Sequence, residues 1–208
     1  YTAAEAVVNE VPGVSVAFNR KIIRGCRAVK VSTMGFDAFE SVNAEYLGQI
    51  FADGTRIFAS TCGTSRDGEN GRAFLQQDIC TDVFLLKLIP GTRPEIFDAI
   101  AGMGYRGVVL EAFGAGGLHY FNRDLLEKLE MLRRKGIAVV VCSQCLYERT
   151  DLSLYEVGRK IMDRGVIPGR DMTTEATVTK LMWALGQTSD MVTLRAMFDR
   201  NYAGEVSL

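Results

Sequence analysis

Two cysteines separated by two residues, Cys142 and Cys145, have a spacing that can carry chemistry. A CxxC pair serves redox chemistry when it opens a helix directly after a strand, but residues 146–152 have the composition of a loop. A zinc site needs two more ligands with similar spacing, and the sequence contains no second CxxC. We therefore interpret the pair as two thiols at a strand end, and we expect no metal site.

A glycine-rich run at residues 114–117 follows an apolar run that predicts a buried strand. Ligands of doubly wound sheets bind at the carboxyl ends of strands, so this run is a candidate ligand loop. A dinucleotide-binding loop would have glycine where His119 stands, and no acidic residue follows at a suitable distance. His119 is also the only histidine, and no G-x-S-x-G elbow offers a serine for a triad. The pattern alone favours a tight turn in which the glycines permit positive φ.

An alternation of strands and helices surrounds these residues in the second half of the chain. Apolar runs at 83–88, 107–110 and 137–142 predict strands, the first of them buried on both faces. Between them, Pro94 begins one predicted helix and Asn122 caps another. This β-α-β-α-β order predicts a parallel sheet with right-handed crossovers, which is a Rossmann-like α/β domain.

Three more helices are predicted after the last of these strands. Ser153, Asp171 and Ser189 stand where their N-caps are expected, and Gly165 ends the first of the three. Apolar side chains recur at helical spacing in the stretches that follow each cap. These helices are therefore expected to bury one face each.

Shorter strand-like runs occupy the first part of the chain. Residues 14–18 and 27–31 predict strands, and residues 48–58 predict a hairpin around Asp53-Gly54. Lys30 lies in the second of these strands, where a lysine is usually an exposed residue on the solvent face. Its interest depends on the resemblance described below.

A domain boundary is predicted where the amino-acid composition and the strand and helix pattern change. Residues 61–72 are rich in Gly, Ser, Asp and Asn and predict a loop. Tyr1 already has the surroundings of a helix interior, with no capping residue ahead of it. We therefore predict that the chain starts inside a helix, and that a domain boundary near residue 76 precedes the parallel-sheet domain, residues 77–208.

Composition and charge exclude several classes of function. The chain has 208 residues, 48% of them hydrophobic, which is enough for a sizeable core. Its net charge of −1 gives no basic field for nucleic acid or for an anionic membrane. No apolar run reaches the ~20 residues that span a bilayer. Five cysteines, scattered through apolar stretches, favour a reducing, cytoplasmic compartment.

Three motifs follow one another along almost the whole chain. In residues 24–43, Lys30 precedes a Gly35-Phe36 pair and then an F-x-S-x-N element, which consists of Phe39, Ser41 and Asn43. The second motif is the strand-end pair Gln144-Cys145, and the third is D-M-T-x-E-A-x-x-T-K-L at residues 171–181. In this order they resemble the L-asparaginase family, and the Gly-Phe form is typical of its cytoplasmic type I branch. The resemblance implies that residues 1–76 are the C-terminal part of a larger α/β domain, truncated at its start, and that residues 77–208 are the smaller α/β domain.

The resemblance implies hydrolysis of the side-chain amide of L-asparagine to L-aspartate and ammonia, with no metal or cofactor. In the family a threonine attacks the amide carbon and forms an acyl-enzyme, and a second threonine, a lysine and an aspartate transfer protons beside it. Lys30 matches that catalytic lysine. The family's T-G-G-T-I and G-T-D-T segments, which carry the threonines, do not occur in these 208 residues. We therefore expect this chain alone to be inactive.

Family members form homodimers, often paired into homotetramers, in which a C-terminal-domain loop completes a neighbour's active site. The resemblance thus implies that Gly116 and Gly117 bind substrate across an interface, although Gly117 stands where asparagine is common. Two alternatives stay open. One is the asparaginase-like subunit of glutamyl-tRNA(Gln) amidotransferase, which usually has an arginine-rich stretch in place of residues 33–36. The other is a non-catalytic binding module, because the chain has no matching nucleophile.

Overall fold

The computed structural model describes six ranges of the chain, namely residues 2–9, 11, 13–58, 75–118, 124–154 and 156–207. The chain divides into two units, residues 1–74 with 201–208 and residues 75–200. The predicted division after residue 76 lies beside this boundary and stays a prediction. No pattern in the sequence indicated that the last residues return to the first unit.

Antiparallel strands make up most of the described part of the first unit. Its elements are α1 (Thr2–Val8), β1 (Ser15–Phe18), β2 (Lys21–Arg24), a short 3-10 helix (Gly25–Arg27), β3 (Ala28–Lys30), β4 (Phe39–Ser41), β5 (Gly48–Phe51) and β6 (Gly54–Ile57). One sheet has the order β1-β2-β5-β6, and β3 pairs with β4 in a separate two-stranded ribbon. Helix α1 packs on the sheet through a small apolar cluster formed by Ala6, Ile22 and Leu47.

Tight turns explain why these strands pair with their neighbours. Asn19 and Arg20 join β1 to β2, and both have positive φ (40° and 66°), as a two-residue hairpin turn requires. The predicted hairpin around Asp53-Gly54 is confirmed, since β5 and β6 pair antiparallel on either side of it. Gly54 has a φ of 135°, which a residue with a side chain rarely adopts.

Parallel strands and helices alternate in the second unit, as predicted. Its elements are β7 (Val83–Lys87), α2 (Glu95–Gly102), β8 (Gly107–Ala112), α3 (Leu125–Arg134), β9 (Ala138–Ser143), α4 (Glu156–Asp163), β10 (Ile167–Pro168), α5 (Thr174–Gln187) and α6 (Met191–Asp199). The sheet has the order β10-β9-β8-β7, and all three pairings are parallel. The parallel-sheet prediction is therefore confirmed, and the two-residue strand β10 is an addition to it.

Strand β7 corrects one prediction. It was expected to be buried on both faces, but it lies at the edge of the sheet, and Leu85 is 44% exposed. Strand β8, by contrast, is covered on both sides: Val108, Val109 and Leu110 are all 0% exposed. A continuous apolar run thus predicts a parallel strand, but it does not distinguish a central strand from an edge strand.

Helix caps correct two further predictions. Thr173, not Asp171, caps α5, because its side chain accepts from the main-chain N–H of Ala176. Asp190, not Ser189, caps α6 in the same way. Each cap lies one or two residues beyond the predicted position, where its oxygen reaches the third helical N–H.

The remaining two caps were also placed too early in the sequence. Asn122 lies outside the described residues, and Asp124 caps α3 through a bond from the N–H of Glu127. The Ser153 hydroxyl bonds to the Asp151 carboxylate, three residues before α4 begins at Glu156. Gly165 follows the end of α4 with a φ of 74°, as its predicted role requires.

Register brings the carboxyl ends of the strands to one edge of the sheet. Lys87 pairs with Glu111, and Glu111 pairs with Cys142. Below this edge, the apolar side chains of α2, α3 and α4 pack on one face of the sheet around Phe97, Leu129 and Leu132, which are all 0% exposed. No helix in the described ranges combines the length and apolarity of a membrane span.

Candidate active site

Lys30 is the last residue of β3, and it is exposed on the two-stranded ribbon of the first unit. Its register partner on β4 is Phe39. No hydrogen bond or ion pair joins the Lys30 ammonium group to another described residue. The Lys30 ammonium group is therefore exposed and has no partner within the described ranges.

Main-chain hydrogen bonds hold the ribbon on both sides of Lys30. The N–H of Val31 donates to the carbonyl of Ala38 at 2.8 Å, and the N–H of Val42 donates to the carbonyl of Arg27 at 2.9 Å. Between the strands, the N–H of Gly35 donates to the Ser32 hydroxyl at 3.1 Å, which closes the start of the loop. The Lys30 main chain is thus fixed in an ordinary antiparallel pairing.

Two residues of the F-x-S-x-N element, Phe39 and Ser41, lie in β4, the strand that pairs with the strand of Lys30, and Asn43 follows β4. The ring of Phe39 packs against Phe18 with centroids 5.2 Å apart, and the Ser41 hydroxyl donates to the carbonyl of Glu45 at 3.4 Å. Asn43 has a φ of 54°, in the left-handed region that asparagine tolerates better than most residues. Each residue of this motif therefore has a local structural role here.

Arg27 ends the 3-10 helix directly before the ribbon and is buried, with 1% of its surface exposed. Its Nε donates to the carbonyl of Gly204 at 2.9 Å, and its Nη2 donates to the Ser207 hydroxyl at 3.3 Å. The carboxylate of Glu205, which is also buried, accepts from the N–H of Ala203 at 2.7 Å. The sequence analysis missed Arg27, because its partners lie at the other end of the chain.

Gly116 and Gly117 lie in a tight turn at the carboxyl end of β8. The N–H groups of both residues donate to the carbonyl of Phe113, at 3.0 and 2.7 Å. In return, the N–H of Phe113 donates to the carbonyl of Gly117 at 2.9 Å. Gly116 has a φ of 117°, and a Cβ there would lie 2.5 Å from Leu152. The turn prediction is confirmed, and the amides of both glycines are used within the loop.

Beside this loop, polar side chains meet at the edge of the sheet. The Thr174 hydroxyl donates to the Glu111 carboxylate at 2.8 Å, and Lys87 lies 3.8 Å from the same carboxylate. Burial raises the pKa of the Cys142 thiol to about 11, so near neutral pH it is protonated and a poor nucleophile. This cluster is an ordered polar network and contains no activated thiolate.

Gln144 shows what the strand-end Gln-Cys motif does in the fold. Its Nε2 donates to the carbonyls of Leu88 and Glu111, at 2.6 and 2.9 Å. It therefore joins the main chains just beyond β7 and at the end of β8. The neighbouring Ser143 hydroxyl donates to the carbonyl of Gly114 at 2.6 Å, which fixes the glycine loop from the other side.

The two CxxC thiols lie at a strand end, as predicted. Cys142 is buried and Cys145 is exposed, and both are free. Residues 146–152 form no helix or strand, so the predicted loop is confirmed. Among the described residues no group of three or more His, Cys, Asp and Glu side chains could hold a metal ion. His119 and Cys62 lie outside the described residues.

Lys180 belongs to the third motif, and sequence reasoning assigned it no role. It is 7% exposed, and its ammonium donates to the carbonyls of Phe198 and Arg200 at 3.2 and 2.7 Å. These carbonyls lie at the end of α6, where a cation is favoured by the helix dipole. Lys180 lies outside the apolar stripe that the sequence predicts for this helix, at Val178, Leu181, Met182 and Leu185, so the pattern gave no signal of its burial.

The three predicted site residues lie in different units: Lys30 in the first, Gly116 and Gly117 in the second. Together the two units have the fold of an asparaginase-type α/β protein. The Glutaminase/Asparaginase C-terminal domain family matches residues 82–198, and the family Asparaginase, N-terminal, matches residues 1–62. The chain therefore belongs to the glutaminase/asparaginase family.

Two relatives illustrate the similarity. The chain is 41% identical over 196 residues to the L-asparaginase of Thermococcus kodakarensis, which covers 94% of this chain and 58% of that protein. It is 36% identical over 184 residues to a glutamyl-tRNA(Gln) amidotransferase subunit of Pyrococcus furiosus, which covers 88% of this chain and 41% of that protein. The matched part of the chain thus spans about three-fifths of the length of the L-asparaginase and about two-fifths of the length of the amidotransferase subunit.

Solved structures agree with the fold. The thermostable L-asparaginase from Thermococcus kodakarensis superimposes with a TM-score of 0.87 at 38% identity, over 99% of this chain and 61% of that one. L-asparaginase I from Vibrio cholerae superimposes with a TM-score of 0.81 at 26% identity, over 94% and 57%. Both neighbours therefore share the α/β architecture described above.

Proposed function

We propose that this protein acts as an L-asparaginase, which hydrolyses the side-chain amide of L-asparagine to L-aspartate and ammonia. The observation that carries the proposal is Lys30. It matches the family's catalytic lysine, stands exposed at the end of β3, and its main chain is fixed by the ribbon. The similarity to an L-asparaginase over 94% of the chain supports the same substrate class.

The proposed reaction proceeds through an acyl-enzyme. A threonine hydroxyl attacks the amide carbon, ammonia leaves with the proton taken from that hydroxyl, and an ester of aspartate forms. Water then cleaves the ester and restores the threonine. We assign Lys30 to proton transfer at the second threonine of the family's catalytic group. No step of this reaction needs a metal or a cofactor.

The threonine motifs of the family do not occur in these 208 residues. The proposal therefore includes the prediction that the isolated chain does not release ammonia from asparagine. A purified sample can be assayed directly. Turnover near ordinary enzyme rates, about 1–10³ per second, would show that the nucleophile lies among residues that we have not assigned.

Lys30→Ala tests the proposal in a protein that joins this chain to a family segment carrying both threonine motifs. We expect kcat to fall by roughly 10²–10⁴-fold, the usual contribution of a positioned acid–base group. Lys135→Ala, at an exposed lysine at the end of α3, is the matched control and should leave kcat unchanged. Near-normal activity of Lys30→Ala, with intact folding, would remove Lys30 from the mechanism.

The amidotransferase subunit is the second candidate, and the 36% identity to such a subunit favours considering it. The Gly35-Phe36 pair, in place of an arginine-rich stretch, supports the free-standing enzyme. The same extended protein distinguishes the two functions. Ammonia release from free asparagine, at a rate unchanged by glutamyl-tRNA, supports the asparaginase. Dependence on glutamyl-tRNA would support the amidotransferase function.

A cytoplasmic homodimer or homotetramer is part of the proposal, with Gly116 and Gly117 at a neighbour's active site. The hydrogen bonds within this loop determine which of its main-chain groups remain available to a substrate. Both amides are occupied, while the Gly116 carbonyl has no partner among the described residues. We therefore propose that Gly116 offers the substrate its carbonyl as an acceptor, and that neither glycine offers an N–H donor.

A further inference from the structure

A cavity of about 300 Å³ lies in the second unit, away from the glycine loop. It is bounded by the amino ends of two strands, at Ala138 of β9 and Ile167 of β10, and by the first residues of α6. The proposed catalytic chemistry involves none of the residues that line it. Much of its wall is apolar and includes Leu129, Ile137 and Val166.

Three arginines, Arg133, Arg164 and Arg195, also line this cavity. The Arg133 guanidinium is already paired with Glu130, at 2.9 and 2.7 Å. The guanidinium groups of Arg164 and Arg195 make no hydrogen bond or ion pair with another described residue. No acidic side chain is found among the described residues of the lining. Two uncompensated positive charges therefore share one partly apolar cavity.

Helix ends account for the position of only some of these cations. Arg133 lies in the last turn of α3, and Arg164 directly follows α4, so both are favoured by the negative ends of their helices. Arg195 lies in the middle of α6, where this effect has faded. The carboxylate one turn further on, Asp199, is paired with Arg170 at 2.5 Å. Local helix electrostatics thus give Arg195 no role.

We propose that this cavity binds a small organic oxyanion, a carboxylate or phosphate that carries an apolar body. A guanidinium group matches the two oxygens of such an anion with parallel N–H donors. The apolar wall would remove the body of the ligand from water. Both features are needed: an inorganic anion would leave the apolar wall unused, and a neutral ligand would leave Arg164 and Arg195 unpaired.

Calorimetry on the 208-residue chain tests the proposal with octanoate, its neutral analogue octanamide, and inorganic phosphate. We expect octanoate to bind at least about tenfold more tightly than either control, since each lacks one of the two features. Phenyl phosphate in place of octanoate distinguishes a phosphate ligand from a carboxylate ligand. In NMR spectra recorded with octanoate, the amide chemical shifts of Ala138, Gly165 and Val192, which line the cavity, should change the most. Equal binding of octanoate and octanamide would overturn the proposal.

Substitutions separate this site from non-specific attraction. Arg164→Gln and Arg195→Gln should each weaken octanoate binding by about tenfold, the value of one charge-assisted hydrogen bond. Arg134→Gln is the matched control, because Arg134 lies on α3 beside Arg133, outside the described lining. Thermal unfolding verifies that each variant is folded. Arg195 is exposed, so Arg195→Gln tests the site even if Arg164→Gln is unstable. Unchanged affinity in Arg195→Gln would refute the assignment.

Discussion

Each unit of the protein buries a cation that bonds to main-chain carbonyl oxygens, but the two cations join very different parts of the sequence. In the first unit, Arg27 reaches Gly204, 177 residues away. In the second, Lys180 reaches Phe198 and Arg200, 18 and 20 residues away. A buried cation that donates to main-chain carbonyls therefore joins segments far apart in the sequence in the first unit, but two consecutive helices in the second.

The surroundings of the two cations also differ. Arg27 lies near Glu205, a buried carboxylate that also raises the pKa of the neighbouring Cys26, after the larger effect of burial. Lys180 has instead the Phe198 ring, 5.5 Å from its ammonium group. A guanidinium can serve several acceptors at fixed angles, whereas an ammonium is a compact charge that suits a helix end. We therefore expect the loss of Arg27 to cost more.

Arg27→Met should produce the largest effect, a loss of about 3 kcal/mol in the stability of the first unit. The substitution leaves the Gly204 carbonyl and the Ser207 hydroxyl without their buried charged donor. Hydrogen exchange of the Val31 amide, which bonds to Ala38, measures the change. Exchange should become about 100-fold faster.

Arg24→Met is the control for this substitution. Arg24 also donates to the tail, at the Ala203 carbonyl, but over 3.2 Å and from a half-buried position. It should therefore have a clearly smaller effect than Arg27→Met. Equal effects of the two variants would mean that the tail is held by general charge and not by the buried guanidinium.

Lys180→Met should destabilise the second unit by about 2 kcal/mol. Methionine keeps the apolar stem but leaves the carbonyls at the end of α6 without their donor. Trp183, the only tryptophan of the chain, lies in the same helix, so its fluorescence reports the unfolding of this unit in denaturant. Lys160→Met, which removes one partner of an exposed surface ion pair, is the control and should leave the denaturant concentration at the midpoint of unfolding unchanged. A shift as large in Lys160→Met would contradict the burial argument.

A pair of glycines tests whether close main-chain packing matters as much as these cations. A Cβ on Gly186 of α5 would clash with the carbonyl oxygen of Asp78, so Gly186→Ala should cost about 2 kcal/mol. Gly102, at the end of α2, has nothing within 4 Å of its Cβ position. Gly102→Ala should therefore stabilise by up to about 1 kcal/mol through helix propensity. If Gly186→Ala does not lower stability in a tryptophan-monitored denaturant titration, the close contact at Gly186 relaxes freely and the packing argument is wrong.

Local patterns were enough to predict the second unit. The apolar runs at 107–110 and 137–142 became β8 and β9 because a parallel strand buries both faces, and this requirement is written into consecutive residues. The run at 83–88 correctly predicted a strand but not its exposure, because the sequence of one strand does not show whether other strands lie on both of its sides. Caps were misplaced for a related reason: several polar residues precede each helix, and geometry selects one of them.

The candidate site was predictable only in part. Lys30 and the loop at 114–117 were found through resemblance and glycine content, both of which are readable along the chain. Arg27 was not, because nothing in the residues beside it in the sequence indicates a buried arginine, and its partner Gly204 lies 177 residues away. Burial of a charge is decided by long-range contacts, and a single sequence carries no direct signal of them.

The return of residues 201–207 to the first unit has a consequence for protein synthesis. A ribosome makes the chain from its amino end, so residues 75–200 of the second unit are complete before the tail exists. Domains generally fold as units when their residues become available. The second unit can therefore form while Arg27 still lacks Gly204 and Ser207. The first unit begins earlier in the sequence, yet it is completed later.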